Sequence, residues 1–190
     1  STARLTLFLR TPTATRGPPV TGPLLALAVM SAAATAENQT VAAQKERARA
    51  NMKKAGVEKS ASIETADLLV FAAVPDAKAK PLADAVQKAF AYTKSVLKFE
   101  DSEALWPGKL TVYVFPGRAS YAAFVRAVEQ RQPEKGVWYA INPRADPPYV
   151  TVGGELGERT TDAEVQADAA AVVAAALLTR KAGAALPEWL

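Results

Sequence analysis

The sequence predicts an α+β fold: a mixed, partly antiparallel sheet packed on helices, with a buried, alanine-rich helix near the C-terminus. Three observations carry this expectation. Segments of helical period alternate with short β-branched or apolar runs. A pair of strands joined by a proline-rich turn reads as a hairpin with a longish loop. From Ala167 to Leu178 only Asp168 is charged, the composition of a helix apolar all round that sits inside a core. The order helix, strand, helix, strand, helix, hairpin, buried helix, without repeats or an interdomain linker, suits one domain.

Each element has its own signal. Residues 41–55 are strong helix formers, stopped at Gly56. Their charge predicts a helix on the surface or on a partner. Leu68–Ala73 is a short apolar run, read as a buried strand, and Ile63 belongs to a strand or turn before it. Over 77–97, Leu82, Val86, Phe90, Thr93 and Leu97 recur at helical spacing, with Pro81 tolerable near the start. Trp106–Gly108 marks a turn, and Lys109–Phe115 alternates as a strand closed by Pro116 and Gly117. Over 119–131, Tyr121, Phe124, Val125 and Val128 share a helix face. Gly136–Ile141 and Tyr149–Val152 are the hairpin strands, joined by a turn with three prolines. The prolines suit a sheet edge, so Tyr149, Val150, Thr151 and Val152 are read as an edge strand. Thr161 and Glu164 form a capping box, and Gly183 ends the last helix.

The N-terminal segment, 1–36, reads as an export signal. Arg4, Arg10 and Arg16 precede the apolar stretch Pro23–Met30, and Ala34–Ala36 offers a small-x-small cleavage site. The alternative is a tail. The apolar run is too short for a membrane span. An exported protein, periplasmic, envelope-associated or extracellular, is expected, with 37–60 a charged helix and linker and 61–190 the α+β domain.

Composition removes most chemistry. At 49% hydrophobic and 22% charged, the 190-residue chain has a globular balance. It contains no cysteine and no histidine. Disulfides, thiolate nucleophiles and Cys-ligated metals are excluded, together with the commonest metal ligand and general base. The net charge of +4 and pI near 9.3 suit an anionic partner. The cations are scattered and no basic run interleaves with aromatics, which argues against nucleic acid.

The run from about 64 to 190 resembles the peptidase MA-like (gluzincin) domains of bacterial envelope proteins. The resemblance rests on a strand ending in Phe-Pro (Val112–Pro116), an aromatic-rich helix near Ser120–Phe124, a Gly-led hairpin at Gly136–Tyr139, a long core helix and the element Leu186–Leu190. In active members the core helix carries H-E-x-x-H, two histidines on zinc and a glutamate activating its water. Aligned on this chain, the motif falls on Ala171, Val172 and Ala175, none of which binds metal or moves a proton. The resemblance thus implies a degenerate, non-catalytic member with no cofactor or metal. The alternative is an alanine-rich core helix without that ancestry. Filling the positions with Ala and Val removes a polar burial cost that only a metal offsets.

Other candidates are weaker. Glu155, Glu158, Asp162, Glu164 and Asp168 form an acidic stretch without the spacing of a calcium loop, and helix capping and solvation explain it more simply. Nothing places two carboxylates across a cleft for glycoside hydrolysis. Serine and threonine lack an activating base, and Gly153–Gly154 is no phosphate loop. Asn38–Thr40 fits a glycosylation sequon. Trp138 and Trp189 suit a core, and Trp106 is open between core and interface. Three functions remain. The first is a pseudo-peptidase domain that binds or scaffolds a protein or peptide, by β-augmentation at Tyr149–Val152. The second is a subunit of an assembly or oligomer. The third is an enzyme using carboxylates.

Overall fold

The computed structural model describes residues 40–100, 103–115, 117–153 and 161–183. Helix α1 spans 40–54. Strands β1 (Ala61–Glu64) and β2 (Leu68–Ala72) lead to α2 (Asp76–Val96). Then follow β3 (Leu110–Val114), α3 (Arg118–Ala127), β4 (Tyr139–Asn142), β5 (Tyr149–Val152) and α4 (Asp162–Ala182). The export signal, Asn38, Glu155, Glu158, Trp189 and the Leu186–Leu190 element lie outside the described residues.

The sheet order is β1-β2-β3-β5-β4. The central pairs β2–β3 and β3–β5 are parallel, and the outer pairs β1–β2 and β4–β5 are antiparallel. The fold is therefore α+β with a mixed, partly antiparallel sheet. β2 and β3 are buried at every position because helices cover both sheet faces, which explains why they read as continuous apolar runs.

Alternation along the strands divides the core in two. Leu68, Val70, Val112, Val114, Val150 and Val152 point toward α2 and α4, where they meet Val86, Phe90, Val173 and Leu177. Leu69, Phe71, Tyr113 and Phe115 point toward α1 and α3, where they meet Met52, Tyr121, Phe124 and Val125. Each fully buried aromatic or aliphatic side chain contributes roughly 1.5–3 kcal/mol over an exposed one.

The structure corrects the edge assignment of Tyr149–Val152. β5 lies inside the sheet, between β3 and β4, and Thr151 is completely buried. Pro147 and Pro148 precede the strand rather than interrupt it, so every residue of β5 keeps its N–H and both ladders form. The outer place goes to its hairpin partner, β4.

α1 also differs from expectation. Val41, Ala48, Met52 and Ala55, spaced by seven, four and three residues, fall on one helical face and pack with Phe71, Tyr113 and Phe115. Its charges occupy the remaining arc. The segment 40–57 thus shares the core of the domain. Gln44, also buried, works as a backbone mimic: its Nε2 donates to the Pro107 carbonyl (3.2 Å), and its Oε1 accepts from the Lys109 N–H (3.1 Å). Gly108, at φ +76°, turns the chain directly against this amide, and a Cβ there would lie 2.7 Å from Gln44 Oε1.

α4 starts and stops as its sequence predicts. Thr161 and Glu164 form the reciprocal capping box, and Gly183 closes the helix in the left-handed region. It is buried on one face, through Val165, Ala169, Val172, Val173, Ala176 and Leu177. Ala167, Asp168 and Ala171 are exposed, since methyl side chains leave little apolar area in water and do not force burial.

Candidate functional site

β4 is the residue-level starting point, because it ends the sheet. The Gly153 N–H donates to the Trp138 carbonyl (2.6 Å), which fixes the phase of the β4–β5 ladder. Alternation then turns the N–H and C=O of Ala140 and Asn142 inward and those of Tyr139 and Ile141 outward. The Tyr121 hydroxyl donates to the Tyr139 carbonyl (3.0 Å). Ile141 keeps both backbone groups facing out, and no described strand pairs with this side. The Tyr139 side chain is 54% exposed.

A polar cluster that the sequence did not suggest holds β4 in place. Glu129, just beyond α3, has a side chain only 6% exposed. Its Oε1 accepts from Asn142 Nδ2 on β4 (3.1 Å) and from the Tyr149 hydroxyl on β5 (3.1 Å). Its Oε2 pairs with Arg131 Nε at 2.7 Å. Burial and the neighbouring Glu129 carboxylate push the Tyr149 phenol well above its ordinary range. Burial raises Tyr121 as well, again with Glu129 contributing. No motif spacing announces this cluster, since its members come from a loop and two strands. Trp138 is half-buried at the margin of the α1/α3 core, with the Arg118 guanidinium 4.1 Å from its ring.

The aligned motif positions lie elsewhere, on α4. Val172 is buried, Ala175 is half-buried and Ala171 is exposed. Ala171 and Ala175 stand about one turn apart. None offers a donor atom to a metal. Of the acidic stretch, Asp162 pairs with Lys78 at 2.8 Å and Glu164 serves the cap, where the Thr161 backbone and hydroxyl hold its carboxyl below the usual range. Among the described residues no group of three His, Cys, Asp or Glu side chains is placed to hold a metal ion.

Two grooves lie on the surface of the described residues. One, of about 760 Å³, runs between α1, the 57–60 link and the start of α2, and its lining mixes Arg49, Lys53 and Lys59 with Glu46, Glu58 and Asp76. The other, of about 370 Å³, lies over Phe90 and Trp106, beside Asp67 and Lys109. Trp106 is thereby resolved as a buried residue whose Nε1 donates to the Pro143 carbonyl (3.1 Å). Two buried side-chain atoms lack a hydrogen-bond partner among the described residues, Thr111 Oγ1 and Thr151 Oγ1, and neither residue lines a groove. No described helix is long and apolar enough to cross a membrane. Comparison of the chain with protein-family models, with curated proteins and with solved structures finds no match.

Proposed function

We propose that the chain is a non-catalytic binding or scaffolding domain of an exported or envelope protein, a degenerate relative of the MA-like peptidases, and that β4 is where it takes a protein or peptide partner. The observation that carries the reading is the outer side of β4, which no described strand pairs, with the N–H and C=O of Ile141 turned outward beside an exposed Tyr139. An extended peptide adds to such an edge through main-chain hydrogen bonds, and side-chain contacts supply specificity. The residues at Ala171, Val172 and Ala175, and the lack of any histidine or cysteine in the chain, support a binding role over zinc peptidase chemistry.

The test is a peptide-display selection against the full chain, followed by binding of the selected peptides to Ile141→Pro. That substitution removes an outward N–H and leaves the β4–β5 ladder its donors. At least tenfold weaker binding by a folded variant is expected, the effect of one to two lost hydrogen bonds. Equal binding by wild type and variant would remove β4 from the reading. If no peptide is selected and light scattering shows a defined oligomer, the role as an assembly subunit takes its place.

A further inference from the structure

Charge is segregated across the sheet. The α1/α3 layer presents cations and alanine to solvent. On α1, Arg47, Arg49, Lys53 and Lys54 are exposed. The single carboxylate of that helix, Glu46, is paired with Arg49. α3 adds exposed Arg118 and Arg126 and carries no carboxylate. The same two helices also expose small apolar residues, Ala42, Ala43, Ala50, Ala119 and Ala127. The opposite layer has no such bias. α2 mixes Asp76 and Asp84 with its lysines, and α4 opens on Asp162, Glu164 and Asp168. The exposed side chains of α1 and α3 are thus mostly cationic, apart from the groove beside α1 where Glu46, Glu58 and Asp76 stand among Arg49 and Lys53, whereas the opposite layer is mixed.

What the described residues of this face lack indicates its partner. A specific protein interface is anchored by large side chains, aromatic ones above all, in desolvated pockets. Single-stranded nucleic acid stacks its bases on exposed aromatics. The exposed large hydrophobic residues, Tyr92, Val96 and Tyr139, lie on α2 and β4. Trp138, beside α3, is half-buried under the Arg118 guanidinium. Among the described residues, the face offers charge without an exposed aromatic anchor. A bilayer rich in anionic headgroups requires no anchor, because its lipids diffuse to the cations. Each Lys or Arg near such a surface strengthens binding about fivefold. We propose that the α1/α3 face is a peripheral docking surface for an anionic lipid bilayer, separate from the β4 edge. The association is electrostatic, reversible and salt-sensitive.

The experiment is co-sedimentation of the full chain with vesicles of phosphatidylcholine alone and of phosphatidylcholine mixed with phosphatidylglycerol, at low and high salt. Binding to the mixed vesicles only, lost at high salt, is expected. The triple reversal Arg47→Glu, Lys54→Glu and Arg126→Glu should weaken that binding at least a hundredfold, from about fivefold per cation removed. The reversal Lys80→Glu, Lys88→Glu and Arg180→Glu on the opposite layer changes net charge equally and should weaken it less than tenfold. All six residues are exposed, and circular dichroism checks that both variants fold. Equal loss in the two variants would assign the effect to net charge and overturn the proposal. So would indifference to phosphatidylglycerol, or binding to duplex DNA without binding to vesicles.

Discussion

Tyr149 donates its hydroxyl to Glu129 across 3.1 Å, joining an interior strand to the loop beyond α3. The same carboxylate accepts from Asn142 and pairs with Arg131. One buried charge thus ties α3, β4 and β5 together, and the position of the sheet edge depends on it. Glu129→Ala leaves the Tyr149 hydroxyl and the Asn142 amide without their acceptor and is expected to cost about 2–4 kcal/mol. Arg131 is 38% exposed and rehydrates, which keeps the loss toward the lower half. Tyr149→Phe, which removes one hydrogen bond, is expected to cost about 1 kcal/mol. Urea midpoints of the two variants measure both. Equal costs would show that the ion pair and Asn142 contribute nothing.

The tyrosines set the alkaline limit of stability. Burial pushes the Tyr113 phenol up to about 12, against a smaller downward pull from the Asn51 amide and Arg47. The unfolded chain loses the phenolic proton near pH 10 and the folded chain later. Stability from this difference is fully present below pH 10 and disappears as pH rises toward 12, by about 2–3 kcal/mol. Tyr149, also raised, acts in the same direction. Unfolding midpoints across this window should fall steeply for wild type and less steeply for Tyr113→Phe. Parallel curves would mean that Tyr113 titrates alike in both states.

The elements were legible in the sequence wherever one local rule decides. The capping box at Thr161 and Glu164, the left-handed stop at Gly183 and strand β5 fall at their predicted residues. What failed was long-range. That Tyr149–Val152 is interior depends on which strand takes the outer place, and flanking prolines do not settle that. That α1 belongs to the core depends on pairing Val41, Ala48 and Met52 with a sheet face formed later in the chain. A charged composition hid that stripe. Nothing in the sequence marks Glu129, because the two hydrogen-bond donors that tie it to the sheet, Asn142 and Tyr149, are 13 and 20 residues away.

Close approach of backbone to ring makes Gly153 indispensable. A Cβ there would lie 2.4 Å from Tyr121 Cβ and 2.6 Å from Cγ. These atoms sit at the root of the side chain, so rotation does not clear them and α3 must shift. Gly153→Ala is expected to destabilise by about 1–3 kcal/mol. In a Tyr121→Gly background, which removes both of these atoms and is already weakened by the lost ring and the helical glycine, the further cost should fall below about 0.5 kcal/mol. An undiminished cost there would locate the strain elsewhere.

Two hydroxyls under the α1/α3 layer offer stability. Thr111 is 1% exposed and Thr151 is fully buried, and neither Oγ1 has a partner among the described residues. Each lost its hydrogen bonds to water on folding without replacement, a cost of about 1–3 kcal/mol. Valine keeps the shape and the β-branch and removes the polar atom. Thr111→Val and Thr151→Val are each expected to raise stability by about 1 kcal/mol, moving the urea midpoint upward at unchanged slope. Thr151→Val also bears on β4: its neighbour in the ladder is Ala140, so a firmer β5 should leave the edge intact and peptide binding there unaltered. A destabilised Thr151→Val would mean that the hydroxyl is satisfied in the folded protein.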